Sequence, residues 1–600
     1  MKQIITILFA LFVAQTFAQN KNVADRIHQV ENNLIPFVPV KGFKGWNILD
    51  RMKYYKVPGV SIAVIKDYKI DWAKGYGLAD TSQKIPVNTE TMFSAGSISK
   101  FLTAVTALKM VEDGQIDLEK PINNYLSSWK IAENDLTKKT PITLRMLLSH
   151  SAGISQSSYF GFTPNQPLPT IVEILSGAKI SETRPVVVNS EPNKEFRYSG
   201  GGSMIAQLAL MDVSKQSFSN LTQQIIFDKL VMKNSTFEQP LPLKFKKQSS
   251  WAYSSASWFM GMPYVYPQQA AAGLYTTPTD LAKFFIDVQN SYIGKGKILS
   301  QSMTKKMLTS QQNVSDGSYK EQIGIGLFLI QRTDNTDPNG VYFEFTGVNA
   351  GFLAYGIGSV TGGNGVIIML NSGDDVNGLG KELRRAVAKV YNWTNFLPEE
   401  IKPINLTDAE LDKAVGRYRM AADEVLYLKK EKNYWVENIN EGSDIYCFPV
   451  AKDTLIFTDF NIKGFFKRNE KGEVIALQNI YQDKPMPKMK DEEFSPSEYL
   501  RMKKYDEAKK AFGDMKMNEY RITYLAYDLM NKKLVNMDAV KTILELAVEQ
   551  HPNSSIVYSR WGDYYLKIKD KPNAIKSFQK ALSLDPTDQQ TKDNLNNLKK

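Results

Sequence analysis

The 600-residue chain has one cysteine, Cys447, and three histidines, His28, His150 and His551. A lone thiol allows no internal disulfide, and it lies far from the N-terminal region where a lipid-modified cysteine would sit. Scattered histidines leave little from which to build a histidine-rich metal site, so neither a metal nor another cofactor is implied. Long apolar runs are scarce as well. After the first residues, none approaches the roughly 20 needed to span a bilayer. No nucleic-acid motif is present, so the net charge of +11 reads as a lysine-rich surface, as at Lys503-Lys504 and Lys599-Lys600. Such a field would favour anionic cell-wall polymers or lipid head groups.

What is present suits a folded, multidomain chain. With 43% hydrophobic and 23% charged residues general disorder is excluded, and the length calls for two to four cores. Lys2 precedes an apolar run from Ile4 to Ala14, and Thr16-Phe17-Ala18 offers small residues where a signal peptidase reads. Residues 1–18 are therefore expected to be a secretory signal peptide cleaved after Ala18. The mature protein is expected to be periplasmic or secreted, with no transmembrane helix.

The segment Pro58–Lys66 reads as a buried strand that turns at Asp67-Tyr68-Lys69 into a second strand through Tyr76. Ile98, Phe101, Leu102, Val105 and Leu108 fall at helical spacing, with Gly114 as terminator. Further helices are expected around Leu144–Leu148, Ser203–Asp212 and Thr279–Asn290, and strands at Gly324–Ile330, Gly351–Tyr355 and Gly365–Leu370. A hairpin, a helical middle and late strands predict an α/β (α+β) domain over residues 19–395, its helices packed on an antiparallel sheet. Residues 396–405, with Pro398 and Pro403, read as a linker. Short strands at Glu424–Lys429, Tyr434–Asn438, Thr454–Thr458 and Val474–Leu477 predict a small all-β domain over residues 406–490.

The last segment, 491–600, repeats. Val540, Leu544, Ala547 and Pro552 recur as Ala574, Phe578, Ala581 and Pro586, and Tyr524 and Tyr527 recur as Tyr558 and Trp561. Together with Trp561-Gly562-x-x-Tyr565, this pattern resembles tetratricopeptide repeats, which implies an all-α solenoid able to hold a protein partner. A degenerate earlier unit runs from Tyr505 to Phe512.

Candidate chemistry begins at Ser97-Ile98-Ser99-Lys100. The S-x-x-K form recurs at Ser127…Lys130, Ser176…Lys179, Ser302…Lys305 and Ser577…Lys580, so spacing alone does not single out Ser97. Its setting does. The serine enters the first turn of an apolar helix, where unpaired N–H groups and the helix dipole favour developing negative charge. Lys100, one turn on, is placed to accept the serine proton. Two more segments add to it. Tyr198 stands before Gly200-Gly201-Gly202, where a phenol can relay a proton. Phe345-Thr346-Gly347-Val348 offers a small pair along a sheet edge, with a main-chain N–H for an oxyanion.

In this order the three segments resemble the motifs of serine β-lactamases and penicillin-binding proteins, most closely the class C β-lactamase-like hydrolases. Pro58-Gly59-Val60-Ser61, Leu147–Gly153 and Ala271–Leu281 support the likeness, which spans residues 40–395. The resemblance implies Ser97 as acylated nucleophile, Lys100 as its proton acceptor and Tyr198 as their partner. It implies the N–H groups of Ser97 and Val348 as oxyanion hole, Gly200, Phe345, Thr346 and Gly347 as substrate-binding positions, and His150 as structural. Two positions depart from the family: Gly200 stands where an asparagine is common, and Phe345 where Lys or His is usual. The expected substrate is thus an ester or a small peptide amide rather than a β-lactam. A catalytically weak fold serving as an envelope binding module through its repeats, and a β-lactamase or D,D-peptidase proper, are the alternatives.

Overall fold

The computed structural model describes residues 22–600 apart from 165, 254–263, 317–318, 335, 374–377, 441–443, 460–461, 480–481, 532–534, 587 and 600. The expected signal peptide lies outside the described residues. Two compact units emerge: one joins the described residues up to Ile35 with Lys44–Leu397, the other joins Pro36–Phe43 with Pro398–Lys600. The two units divide between Leu397 and Pro398, and the short segment Pro36–Phe43 belongs with the later residues. Backbone hydrogen bonds from Val38 to Thr458 and from Lys41 to Ile401 hold it there.

The first unit is built from β1 (Gly59–Lys66), β2 (Lys69–Asp80), β3 (Ile85–Pro86), β4 (Phe93–Ser94), β5 (Tyr275–Thr276), β6 (Gln312–Asp316), β7 (Tyr319–Ile323), β8 (Phe328–Arg332), β9 (Tyr342–Asn349), β10 (Phe352–Ser359) and β11 (Gly365–Leu370). Nine of them form one sheet in the order β3-β2-β1-β11-β10-β9-β8-β7-β6, and β4 pairs with β5 separately. The pairings within it are antiparallel. At the β1–β2 turn, Asp67 and Tyr68 both take positive φ, the backbone twist a two-residue hairpin needs.

Strand β1 is buried along almost its whole length because the sheet is covered on both faces. Ala63 and Ile65 face one core with the helices Ser99–Glu112, Gly200–Ser214 and Pro278–Tyr292. Val60, Ile62 and Val64 face a second core with the helices Ile48–Tyr54 and Leu379–Tyr391. Helix Ser99–Glu112 buries Phe101, Leu102, Val105, Leu108 and Met110, so it is enclosed rather than amphipathic. It ends before Gly114, whose φ of +70° fits the terminator read from the sequence. The expected strand at Gly324–Ile330 begins only at Phe328, because Gly324 N–H turns back to the Leu327 carbonyl.

The second unit carries an eight-stranded antiparallel meander: β12 (Gly416–Ala421), β13 (Glu424–Glu431), β14 (Tyr434–Ile439), β15 (Ile445–Ala451), β16 (Thr454–Phe457), β17 (Ile462–Arg468), β18 (Val474–Asn479) and β19 (Met486–Pro487). Helices follow from Pro496–Arg501 to Gln589–Lys599. The repeat positions Val540, Leu544, Ala547, Ala574, Phe578 and Ala581 are all buried. Gly562 is required by packing: a β-carbon there would meet the Phe578 ring at 2.3 Å. Among the described residues, no helix is long and apolar enough to cross a membrane.

Glu437 on β14 is buried, and its Oε2 has no hydrogen-bond partner. Burial, with the Asp459 charge adding to it, pushes its carboxyl up to about 7 from 4.5. The folded state therefore favours the protonated acid. That contribution is full below pH 4.5 and is lost as pH rises through about 7. Glu437→Gln should be the more stable protein at pH 8 by roughly 2–3 kcal/mol, and the difference should vanish near pH 4. Denaturant unfolding of the full chain at both pH values checks this; equal midpoints for the two proteins at pH 8 would contradict it.

Candidate active site

The chain reaches Ser97 through β4, which pairs with β5 and delivers Ala95 and Gly96 to a short 3₁₀ turn ahead of helix Ser99–Glu112. Gly96 has φ +51°, a left-handed backbone that glycine adopts without strain. The turn is pinned from both sides. Ser99 Oγ donates to the Gly96 carbonyl at 2.6 Å and accepts the Leu274 N–H at 3.0 Å, while Ala95 N–H donates to the Leu274 carbonyl at 2.8 Å.

Lys100, only 5% exposed, places Nζ 3.0 Å from Ser97 Oγ and donates to the Ala271 carbonyl at 2.8 Å. The same Nζ lies 4.9 Å from the centre of the Tyr198 ring. Ser97, Lys100 and Tyr198, separated by about a hundred residues of sequence, thus share one place. Ala271 belongs to the segment read as supporting the family likeness, but its role is carried by a backbone carbonyl, which no side-chain pattern reveals.

Strand β9 supplies the opposite wall. It pairs with β10 along its whole length but with β8 only through Tyr342, Phe343 and Glu344, so Phe345–Asn349 lack a β8 neighbour. A β-carbon on Gly347 would lie 1.9 Å from the Ala95 carbonyl oxygen and 3.1 Å from Ser97 N. One on Gly96 would lie 2.7 Å from Val348 N. The absence of side chains at both positions lets two backbones meet and brings the Ser97 and Val348 amides together, as an oxyanion hole requires. Asn349, which the sequence reading did not single out, fixes this approach: its Nδ2 donates to Ser94 Oγ at 2.7 Å and to the Ala272 carbonyl at 2.9 Å.

The substrate-binding positions fare differently. Thr346 and Val348 are exposed, and Gly347 lies under Ala95. Phe345 does not face a substrate: it is 1% exposed and packs edge-on against Phe328 in the core, because β9 alternates and sends 343, 345 and 347 to the helix-covered face. Gly200 is likewise covered. Its N–H donates to the Ser157 carbonyl at 2.7 Å, and a β-carbon there would meet that oxygen at 2.9 Å and the Tyr159 ring at 3.1 Å. No asparagine fits that position as the neighbouring loop stands.

His150 is buried, and its Nδ1 accepts the Ser199 N–H at 3.2 Å. Burial, with the nearby Lys100 charge adding to it, pushes the imidazole down to about 3, so it is neutral at physiological pH. Its ring centre lies 4.6 Å from that of Tyr198. The histidine thus supports the tyrosine segment and carries no charge to the serine.

A half-buried S-x-x-K serine on the turn ahead of a buried helix, beside an antiparallel sheet and with a lysine and a tyrosine next to it, defines a serine hydrolase fold of the β-lactamase type. The beta-lactamase family model matches residues 47–390, and the chain belongs to that family. A tetratricopeptide repeat model matches residues 555–588. The chain is similar to a teichoic acid D-alanine hydrolase of Staphylococcus aureus, 25% identical over 249 residues, 41% of this chain and 57% of that protein. It is also similar to Staphylococcus aureus protein flp, 26% identical over 186 residues, 30% of this chain and 35% of that protein. The chain thus spans little more than half the length of the first of these curated relatives. The octameric penicillin-binding protein homologue from Pyrococcus abyssi shares the fold: TM-score 0.53, 22% identity, 74% of this chain and 98% of that chain.

If the contact at Gly347 sets the oxyanion hole, Gly347→Ala must push β9 off the nucleophile turn. Acylation of Ser97 should slow on the order of 100-fold or more, with helix and sheet content retained. Labelling rates with a fluorophosphonate, alongside circular dichroism, check this; a folded variant that labels at the wild-type rate would refute it.

Proposed function

We propose that the protein is an exported serine hydrolase that acts through an acyl-enzyme on Ser97, with esters or small peptide amides as substrates. The observation that carries this reading is the buried Lys100 Nζ, 3.0 Å from Ser97 Oγ and anchored on the Ala271 carbonyl. In its neutral form Lys100 takes the Ser97 proton as Oγ attacks the substrate carbonyl carbon. The oxyanion forms against the amides of Ser97 and Val348. Collapse expels the alcohol or amine, which receives a proton through Tyr198. Water then attacks the acyl carbon, passes a proton back to the lysine–tyrosine pair, and releases the acid with Ser97 restored.

Phe345 in the core and Gly200 beneath Tyr159 remove two groups with which related proteins hold carboxylate- or amide-bearing substrates, which favours esters over β-lactams. The named activity of the teichoic acid D-alanine hydrolase relative also supports hydrolysis of an acyl bond in the cell envelope. Export rests on the apolar N-terminal segment and its Thr16-Phe17-Ala18 ending. The repeat helices are the proposed seat of a protein partner.

Ser97→Ala should abolish fluorophosphonate labelling and lower ester hydrolysis on the order of 10³-fold or more. A fluorescent penicillin at saturating concentration should leave Ser97 largely unlabelled. Unchanged labelling or hydrolysis in Ser97→Ala would remove the proposal, and stoichiometric penicillin labelling would favour a β-lactamase or D,D-peptidase.

A further inference from the structure

A cavity of about 980 Å³ opens between the end of β2, residues 88–91 and the stretches 239–241 and 246–251. Its volume and mixed lining suit a small molecule. Ser97, Lys100 and Tyr198 are not among its described walls. Its link to them is Tyr275, which lines the cavity and pairs across β4 and β5 with Ser94, three residues before Ser97.

Most polar groups of the wall are already paired. Trp251 N–H donates to the Ala79 carbonyl, Ser250 N–H to the Met92 carbonyl and Met92 N–H to the Gln248 carbonyl, each at 2.8 Å. Ser250 Oγ donates to the Ala79 carbonyl at 3.2 Å and accepts from Asn371 Nδ2 at 2.9 Å.

Asp80 is different. It lines the cavity and is 3% exposed. One oxygen, Oδ1, accepts the Ser82 N–H at 2.8 Å, the Ser82 hydroxyl at 2.6 Å and the Gln83 N–H at 3.1 Å. The other, Oδ2, has no partner. Among the described lining residues it is the one buried side-chain oxygen or nitrogen left so. Burial raises this carboxyl, but the hydrogen bonds from Ser82 and Gln83 outweigh burial and hold it below its usual range. The wall therefore carries an ionised oxygen with an open acceptor position, a costly arrangement unless a donor fills it. Glu90, Lys246 and Lys247, the other charged residues of the lining, are exposed to water that screens them. Ile85, Pro240, Leu241 and Trp251 add apolar surface.

We propose that this cavity is a second ligand site, separate from the Ser97 centre, for a primary ammonium carried on an apolar body, with Asp80 Oδ2 as its acceptor. A primary ammonium brings both the charge and the N–H that this oxygen lacks. A bare metal ion fits less well, because the described residues hold no cluster of ligating side chains and the ion would leave the apolar walls uncovered. Occupancy of the site does not depend on acylation of Ser97.

Calorimetric titration of the full-length protein at neutral pH with hexylammonium, hexyltrimethylammonium and 1-hexanol tests this. Hexylammonium should bind about tenfold or more tightly than either of the others, since one lacks the N–H and the other the charge. Asp80→Asn keeps an acceptor for the Ser82 turn and puts an amide N–H₂ where Oδ2 stood. It should weaken hexylammonium about tenfold or more and leave 1-hexanol unchanged. Ser97→Ala should bind hexylammonium as the wild type does. Equal affinity for hexylammonium and 1-hexanol would reduce the cavity to an apolar pocket and overturn the proposal. Equal affinity for hexylammonium in Asp80→Asn and wild type would overturn it too, as would loss of binding in Ser97→Ala or no saturable binding at all. The three-ligand comparison needs only the wild type, so it decides the matter even where Asp80→Asn does not fold.

Discussion

The approach of strand β9 to the turn Ala95–Ser97 is closer than any side chain at Gly347 would permit, and the geometry of the site follows from it. Two backbones in contact place the Ser97 and Val348 amides side by side without any side chain having to be oriented. Rigid main chain is a good holder for an oxyanion, since it reorganises little as charge develops. Everything around the contact keeps it in place. Asn349 locks the end of β9 onto Ser94 and Ala272, Ser99 staples the turn to Leu274, and the helix behind Ser97 is packed on all sides.

Charge is handled with the same economy. Lys100 is nearly enclosed, and within hydrogen-bond distance it has the serine and one carbonyl, Ala271. Among the described residues, no carboxylate is hydrogen-bonded or ion-paired to that amine. The adjacent histidine yields by staying neutral under the combined weight of burial and that lysine. It serves as an acceptor for Ser199 N–H and as a flat surface beside Tyr198. The family's asparagine and lysine positions are taken by Gly200 and Phe345, and both are closed by packing rather than left open.

Much of this was legible in the chain itself. The Ser97–Lys100 spacing on an apolar helix, the hairpin at Asp67-Tyr68, the Gly114 stop and the paired repeat positions are local patterns, and local patterns survive in a sequence. Strands β6 and β7 are not marked in the sequence because Gln312–Asp316 and Tyr319–Ile323 are mostly polar residues without apolar alternation. The Ala271 carbonyl beneath Lys100 lies 171 residues away and leaves no side-chain signature. The motif implies a substrate-facing Phe345, but β9 turns it into the core. Tyr159 over Gly200 is a contact between segments remote in sequence, which only the fold brings together. The segment Pro36–Phe43 joins the later unit through backbone hydrogen bonds from Val38 and Lys41, which composition does not encode.

The central claim is that Ser97 carries the acyl group. Quenching the full-length protein with acid during turnover of a p-nitrophenyl ester, followed by mass spectrometry of its peptides, addresses it directly. The peptide containing Ser97 should gain the mass of one acyl group, and the gain should be absent from Ser97→Ala. An ester hydrolysed at full rate with no adduct at Ser97, or with the adduct on another residue, would contradict the account.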